Sequence, residues 1–181
     1  DGAEMVAQGK PLIKVLPDLM GEKEPKKYLV LFQNDKELRP TGGFLTYYAI
    51  FKVQEGVITV EKSSDIYELD DSISSHPDAP DIFKKYLEVN RLFIRDSNFS
   101  PDFAQSVDNF MEQYENSPEA QDIDGVVALD TQFLVSIIKI LDGIEVGGTK
   151  FTADIDPRCD CPQVIYEMEN NISRPVNYVK V

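Results

Sequence analysis

The chain has 181 residues, of which 42% are hydrophobic and 28% charged, so it can bury a core and fits one domain. Its 32 acidic residues against 18 basic ones give a formal net charge of −14, which repels nucleic acid and anionic membrane surfaces. We therefore expect no nucleic-acid partner, and a phosphate-bearing ligand would need a local arginine or lysine cluster or a divalent cation.

The first 27 residues are predicted to form a helical lead-in and linker, and residues 28–181 a single domain. The sequence contains no run of about 20 apolar residues and no signal-peptide pattern. It starts at Asp1 rather than at a methionine and stops within a predicted strand. We expect a domain truncated at its C-terminus, with any membrane anchor in a segment outside this sequence.

The stretch from 28 to 44 reads Y-L-V-L-F-Q-N-D-K-E-L-R-P-T-G-G-F. Its unbroken apolar start predicts a strand buried on both faces of a sheet. A polar loop follows, and it carries the first candidate site residues: Asn34, Glu37, Arg39, Gly42 and Gly43. A buried strand that leads into a loop with a carboxylate, a guanidinium and bare glycine backbone is a common way to build a ligand site. A structural turn with a surface ion pair is the alternative.

Residues 44–62 predict a β-hairpin. Phe44–Val53 is rich in aromatic and β-branched residues, Gln54–Gly56 is a short reversal, and Val57–Lys62 alternates as a returning strand. The segment after the hairpin is dense in carboxylates and includes Asp65.

Residues 80–89 predict a helix that is capped by Asp78 and has a core-facing side of four apolar residues: Ile82, Phe83, Tyr86 and Leu87. A short strand is predicted at Leu92–Ile94, immediately before Arg95 and Asp96.

The next block, R-D-S-N-F-S-P-D-F, is predicted to turn from this strand into a helix with Ser100 as N-cap and Pro101 at its first position. A strand end followed by a helix start aims side chains and N–H groups at a ligand, so Arg95 and Asp96 are further site candidates. Simple pairing of these two residues with their neighbours is the alternative.

The last block predicts a buried strand at Gly125–Leu129, a helix capped by Asp130, and a short strand at Ile144–Val146. The core side of that helix is predicted from Phe133, Leu134, Ile137, Ile138 and Leu141, and a final helix from Pro162. These elements predict a three-layer α/β domain with a mixed central sheet that contains one antiparallel hairpin and has helices on both faces.

The two cysteines, Cys159 and Cys161, have one residue between them and no histidine nearby. The Cβ vectors of alternate residues do not converge easily, which disfavours a bridge. Two thiols make half a zinc site at best. We predict loop thiols without a catalytic role, with a partner outside this sequence as the alternative.

The blocks at residues 28–44 and 95–103 and the block D-G-V-V-A-L-D-T-Q-F-L at 124–134 resemble, in this order, the signature blocks of the bacterial domain of unknown function family 4012. That family has no established biochemical activity, so this resemblance implies no function. The segment from Asp124 to Val146 is also similar to the closing segment of LytR-CpsA-Psr domains, which transfer glycopolymers from polyprenyl-pyrophosphate carriers to the cell wall outside the membrane.

The second resemblance implies a site. Arg39 would take the place of that family's first arginine and Asp65 that of a later aspartate, while Arg95 or Arg91 would supply the second arginine. Arginines would hold phosphate oxygens, Asp65 or Asp96 would hold Mg²⁺, and Glu37 would orient Arg39 or act as base. The complete ligand-binding set comprises Asn34, Arg39, Gly42, Gly43, Arg91, Arg95 and Asn98.

The resemblance also implies an extracytoplasmic domain of the cell envelope, membrane-anchored in the full protein, that binds a phosphate-bearing lipid or glycan and transfers it. A non-catalytic surface module for glycans or proteins is the alternative, with Tyr47, Tyr48 and Phe99 as its contact surface. An apolar tunnel beside Arg39 would favour the enzyme, and a closed core there would favour the module. A third hypothesis is that the charged groups only stabilise the fold.

Overall fold

A four-stranded mixed sheet forms the centre of the computed structural model, which describes residue 11 and residues 13–171. Its strands are β1 (Lys26–Asn34), β2 (Phe44–Gln54), β3 (Val57–Asp65) and β4 (Gly125–Asp130), in the order β3-β2-β1-β4. β1 pairs antiparallel with β2 and parallel with β4, and β2 pairs antiparallel with β3. The predicted α/β class with a mixed sheet is confirmed.

The other described elements are α1 (Ile66–Ser72), α2 (Asp81–Tyr86), a 3₁₀ helix (Ile94–Asp96), α3 (Phe103–Tyr114), α4 (Thr131–Ile140), β5 (Ile144–Val146), β6 (Thr149–Phe151), β7 (Ile155–Asp156), β8 (Cys161–Pro162) and α5 (Gln163–Asn171). None of the helices in the described part of the chain is both long and apolar enough to cross a membrane.

The β2–β3 hairpin has the predicted form. Its two-residue turn, Glu55-Gly56, has φ values of 51° and 79°. Positive φ at both turn positions matches the right-handed twist of the flanking strands, and glycine adopts it without steric cost. The prediction of this hairpin from alternation and turn residues is confirmed.

The main core lies between one face of the sheet and α1, the 3₁₀ helix and α3. α1 contributes an apolar stripe at the spacing of a helix that buries one side. The buried side chains of this core are Leu29, Leu31, Leu45, Tyr48, Ile50, Ile66, Leu69, Ile73, Ile94, Phe110 and Tyr114.

The opposite face of the sheet meets the segment before β1, in which residues 13–19 are helical. The hydroxyl of Tyr28 donates to the carbonyl of Leu19 at 2.7 Å, and Glu55 N donates to the carbonyl of Gly21 at 3.0 Å. These bonds fix the end of the predicted lead-in to the sheet. Residues 1–10 and 12 of the lead-in lie outside the described residues.

The elements after β4 form a second, smaller core. Its buried members are Ile138, Val164 and Ile165, with Leu134 and Phe151 packed against them. Asp130 caps α4 as predicted, because its carboxylate accepts the N–H of Phe133 at 2.8 Å.

The predicted strand Leu92–Ile94 is wrong. The N–H of Leu92 donates to the carbonyl of Pro77 at 2.9 Å, and the N–H of Ile94 donates to the carboxylate of Asp70 at 2.7 Å. Ile94 then begins the 3₁₀ helix. A side chain 24 residues earlier therefore takes the hydrogen bond that a sheet would have needed.

Both helix starts in the middle of the chain were predicted wrongly. α2 begins at Asp81 after Pro80, without a side-chain cap, and spans six residues. Asp102, not Ser100, is the N-cap of α3, because its carboxylate accepts from Ala104 N at 2.9 Å. Ser100 instead accepts the N–H of Asp102 at 3.2 Å, which makes the turn before the helix.

Several predicted core faces are also wrong. In α2 and at its C-cap, the side chains of Ile82, Tyr86 and Leu87 are exposed. In α4, Phe133, Ile137 and Leu141 are exposed and only Ile138 is fully buried, because α4 meets the small second core. β4 is half-buried rather than buried, and the last helix begins at Gln163 because Pro162 belongs to β8.

The cysteine prediction is wrong as well. Cys159 and Cys161 form a disulfide bond, with their Cα atoms 5.1 Å apart. The turn between β7 and β8 reverses the chain, so the two Cβ atoms converge where an extended chain would separate them.

Candidate functional site

The loop after β1 has a defined backbone course. Glu37 N donates to the carbonyl of Asn34 at 3.1 Å, and Phe44 N donates back to the carbonyl of Glu37 at 3.0 Å. The side chain of Asn34 accepts the N–H of Lys36 at 3.1 Å. Asn34 was predicted to bind a ligand, but here it shapes the turn that presents Arg39.

Gly43 cannot be replaced without moving the backbone. Its φ is 153°, and a Cβ atom at this position would lie 2.3 Å from the carbonyl oxygen of Asn34. Gly42, with φ of 123°, is exposed at the tip of the same loop. The glycine pair lets the chain return to β2 directly against the end of β1.

Two buried amides hold this loop. The Asn98 Nδ2 donates to Thr41 Oγ1 and to the Gly43 carbonyl, both at 2.8 Å. The Gln33 Nε2 donates to the same two acceptors at 2.7 and 3.2 Å. Because Gln33 lies on β1 and Asn98 follows the 3₁₀ helix, the loop is fixed between these two elements. Asn98, a predicted ligand residue, is 3% exposed and acts here as support.

Arg95 lies beside a buried carboxylate. Its Nη1 donates to Asp70 Oδ2 at 2.6 Å, and the Asp70 side chain is 2% exposed. The guanidinium also lies over the rings of Phe93 and Tyr67, at 4.1 and 4.8 Å from the centroids. One charge-assisted bond and two ring contacts fix its orientation.

Burial dominates the titration of Asp70. Desolvation raises the pKa of its carboxyl above the usual value of 3.8, and the interactions with Arg95 and with the Ile94 N–H oppose that rise only in part. The carboxylate holds both Arg95 and the start of the 3₁₀ helix. Asp70 therefore organises this part of the site.

Asp96 lies between two guanidinium groups. Its Oδ1 is 3.4 Å from Arg39 Nη2, and its Oδ2 is 3.8 Å from Arg95 Nε. Arg39 also stacks over the ring of Phe44 at 5.1 Å. The structure thus brings together Arg39 and Arg95, which are 56 positions apart in the sequence. This is the main agreement with the predicted site.

The cluster of Arg39, Arg95, Asp70 and Asp96 has balanced formal charges. Arg39 is its most accessible cation, with its side chain 32% exposed, against 22% for Arg95. Arg39 donates from Nη1 to the Leu38 carbonyl and from Nη2 to Asp96, and a guanidinium has five N–H donors. Donors of Arg39 therefore remain for a group that approaches from solvent.

Three further predicted site residues, Glu37, Asp65 and Arg91, have contacts with other residues. Glu37 is exposed, and its carboxylate accepts from the Asn34 amide at 3.4 Å. Asp65 is the N-cap of α1 and accepts the N–H of Tyr67 at 2.8 Å. Arg91 pairs with the exposed Asp78 instead.

The two residues predicted for Mg²⁺, Asp65 and Asp96, both have other contacts in the structure. Asp96 faces two guanidinium groups, which stabilise a carboxylate but repel a second cation. One carboxylate oxygen of Asp65 accepts the N–H of Tyr67 at the start of α1. Within the described residues, no three histidine, cysteine or acidic side chains are grouped so that they could hold a metal ion.

The space beneath the loop is small. A cavity of about 10 Å³ lies among Gln33, Thr41, Ser97 and Asn98, which is room for about one water molecule. A prenyl chain does not fit in it. A polar cleft of about 300 Å³ lies elsewhere, lined by Ser74, Ser75, His76, Pro77, Glu112, Gln113 and Asn116.

The contact surface predicted for a non-catalytic module is only partly present. Tyr48 is wrong because it is 1% exposed in the main core. Phe99 packs against Phe83, with centroids 5.4 Å apart. Tyr47 is exposed and meets Phe32 edge to face.

Sequence reasoning missed Asp70, Gln33 and Thr41. A signal for Asp70 existed, since it falls on the stripe of Ile66, Leu69 and Ile73, where a charged residue needs a partner. No comparable signal marked Gln33 or Thr41, which are ordinary polar residues near a strand end.

Comparison with known proteins gives a family and no function. The family described as "Protein of unknown function (DUF4012)" matches residues 23–155, which cover β1 to β6 and the whole of the cluster around Arg39 and Arg95. No curated protein and no solved structure matches the chain. The match spans well over half of the chain, and the protein therefore belongs to this family of unknown function.

Proposed function

We propose that this chain is a non-catalytic binding module of the bacterial cell envelope, and that Arg39 and Arg95 hold the phosphate group of a lipid- or glycan-linked ligand. The observation that supports this proposal most directly is that two guanidinium groups, 56 positions apart in sequence, share Asp96 at the surface. Arginine binds phosphate through its planar fork of N–H donors, and stacked arginines are already oriented for it.

The energetics favour Arg39 as the ligand's main contact. Arg95 is held by Asp70, whereas the contact of Arg39 with Asp96 is longer and lies nearer to solvent. A phosphate with two negative charges can take the place of Asp96 at the donors of Arg39, while Arg95 adds its field from behind. Asp96 then tunes affinity and rejects weakly charged groups.

The positions of the acids support binding without transfer. Proton transfer requires a base within about 3 Å of the reacting group, directly or through one water. Glu37 bonds to Asn34 and Asp65 caps α1, so each carboxylate has a structural contact of its own. The cavity under the loop has no space for a prenyl chain, so a lipid carrier would present only its head group here.

An oxidising compartment is supported by the Cys159–Cys161 disulfide. Disulfides persist outside the cytoplasm and are rare inside it. The net charge of −14 repels anions at long range, so phosphate binding depends on the local field of the two arginines.

Calorimetric titration with a short-chain polyprenyl phosphate tests the proposal, with and without Mg²⁺. We expect Arg39→Ala to weaken binding about tenfold or more, because it removes charge-assisted hydrogen bonds. Arg91→Ala is the matched control, since Arg91 is an exposed arginine paired with Asp78 outside the cluster. Equal affinities of the wild type and Arg39→Ala would contradict the proposed function.

A turnover assay separates binding from transfer. The protein is incubated with a polyprenyl-pyrophosphate-linked glycan, Mg²⁺ and an acceptor glycan, and we expect binding but no release of polyprenyl phosphate. Release that disappears in Glu37→Gln or Asp65→Asn would show a transferase instead.

A further inference from the structure

The disulfide between Cys159 and Cys161 lies in a turn that other bonds already hold. β7 pairs with β8 through Asp156 and Cys161, and Asp156 Oδ1 accepts the N–H of Arg158 at 2.9 Å. Arg158 also donates to Asp156 Oδ2 at 2.6 Å and to Glu167 at 3.0 Å. The turn therefore has a network of its own that does not include the sulfur atoms.

The chain-entropy contribution of this disulfide is small. A crosslink stabilises a fold by restricting the unfolded chain, and that effect grows with the length of the loop it closes. The bond joins residues only two positions apart. A bond that stabilises the fold so little is not explained by stability alone.

The two sulfur atoms have different surroundings. Cys159 is exposed, whereas Cys161 is partly buried and packs against the second core around Ile138 and Val164. Residues 157, 158 and 160 of the same turn are exposed as well. An exposed disulfide next to a shielded second sulfur is the arrangement of a reactive cysteine and a resolving cysteine.

We infer that this disulfide is a thiol–disulfide exchange site, in which Cys159 is the sulfur attacked by an external thiol and Cys161 is the leaving sulfur, which becomes the resolving cysteine when the reaction runs in reverse. The inference is independent of the proposed phosphate binding. Exposed disulfides are the labile ones among protein disulfides, and access to the attacked sulfur controls the rate.

The exchange proceeds in two steps. An external thiolate attacks Cys159 Sγ and forms a mixed disulfide, the Cys159–Cys161 bond breaks, and its electron pair leaves on Cys161 Sγ, which takes a proton from water. A second external thiolate attacks the external sulfur of the mixed disulfide and releases Cys159 as a thiolate, which is also protonated. Two external thiols are thereby oxidised to one disulfide, and the chain gains two electrons and two protons.

Equilibration in glutathione mixtures tests this inference. The whole chain is held at set ratios of reduced to oxidised glutathione, its thiols are alkylated, and the reduced fraction is counted by mass spectrometry. We expect the Cys159–Cys161 disulfide to be half reduced at the glutathione redox potential of a secretory compartment. Structural disulfides stay oxidised at that potential. A disulfide that stays oxidised in a large excess of reduced glutathione would overturn the inference.

Hydrogen exchange of residues 155–167 in the reduced chain gives the second measurement. We expect protection to persist, because Asp156 and Arg158 hold the turn without the disulfide. Loss of protection on reduction would show a structural crosslink and would overturn the exchange role.

Two single-cysteine variants test which sulfur is attacked. Cys161→Ser leaves the exposed Cys159, and Cys159→Ser leaves the shielded Cys161. With oxidised glutathione, we expect the first variant to form the glutathione adduct about ten times faster than the second, because thiol reactivity follows access. Equal rates, or a faster reaction of Cys161, would contradict the assignment.

Discussion

Two arginine–aspartate clusters in this molecule use the same groups over very different sequence distances. Arg95 pairs with Asp70, 25 residues earlier, and Arg39 with Asp96, 57 residues later, so these pairs join the first loop, α1 and the 3₁₀ helix. Arg158 pairs with Asp156, two residues away, inside a single turn. The first cluster therefore depends on the whole fold, whereas the second depends mainly on its own segment.

The difference also appears in burial. Both carboxylates are buried, Asp70 at 2% and Asp156 at 6% exposure, but Arg95 is 22% exposed and Arg158 is 53% exposed. An exposed guanidinium can replace a lost partner with water, whereas a largely buried one does so less readily. We therefore expect substitutions in the first cluster to cost more than matched ones in the second.

The largest effect is expected for glycine substitution in the first loop. Gly43→Ala places a Cβ atom 2.3 Å from the Asn34 carbonyl at φ of 153°, and should cost about 3 kcal/mol or more of unfolding free energy. Gly147→Ala, in the turn between β5 and β6, is the matched change outside the first cluster. It has φ of 59° and nothing within 4 Å, so we expect about 1 kcal/mol. Urea unfolding measures both, and equal losses would contradict the comparison.

A similar loss is expected when the buried carboxylate is removed. Asp70→Ala leaves Arg95 and the Ile94 N–H without their partner and should destabilise by about 3 kcal/mol. Asp156→Ala should cost less, because Arg158 keeps Glu167 and solvent. Asp108→Ala, an exposed change on α3, is the control and should lie within about 0.5 kcal/mol of wild type. A larger loss for Asp156→Ala than for Asp70→Ala would reverse the account.

A smaller effect is expected in how the contributions of Asp70 and Asp156 to stability depend on pH. Burial raises the pKa of Asp70 above 3.8, so its contribution to stability is fully present below pH 3.8 and falls as pH rises through the folded-state pKa. Hydrogen bonds from Arg158 lower the pKa of Asp156 to about 2, so its contribution is present above pH 3.8 and is lost as pH falls toward 2.

Unfolding experiments between pH 2 and 6 on the wild type, Asp70→Asn and Asp156→Asn check these signs. The stability difference between the wild type and Asp70→Asn should shrink with rising pH. The stability difference between the wild type and Asp156→Asn should grow with rising pH. Slopes of the same sign would show that the two carboxylates do not differ in the way described.

Local rules were enough to predict part of the fold. The β2–β3 hairpin follows from alternation and a Glu-Gly turn, and the cap at Asp130 follows from its place before an apolar helix. The strand predicted at Leu92–Ile94 failed because its backbone bonds to Pro77 and to the carboxylate of Asp70. An apolar run alone does not reveal a distant side-chain partner.

The candidate site also has a part that the sequence predicted and a part that it did not. Arg39, Arg95 and Asp96 could be found from their places at predicted strand ends, and the structure brings them together. Their support could not be found so directly. Asn98 and Gln33 share two acceptors on the first loop, and that convergence depends on the register of β1 and on the turn after the 3₁₀ helix. The disulfide was missed because the turn between β7 and β8 was not predicted.

The central claim, that Arg39 and Arg95 together hold a phosphate group, is tested most directly by NMR of the arginine Nε–H signals during titration with a polyprenyl phosphate. The account predicts shifts of the Arg39 and Arg95 signals with one shared binding curve, while those of Arg91 and Arg158 stay in place. Equal shifts at all four arginines, or none at Arg39 and Arg95, would contradict it.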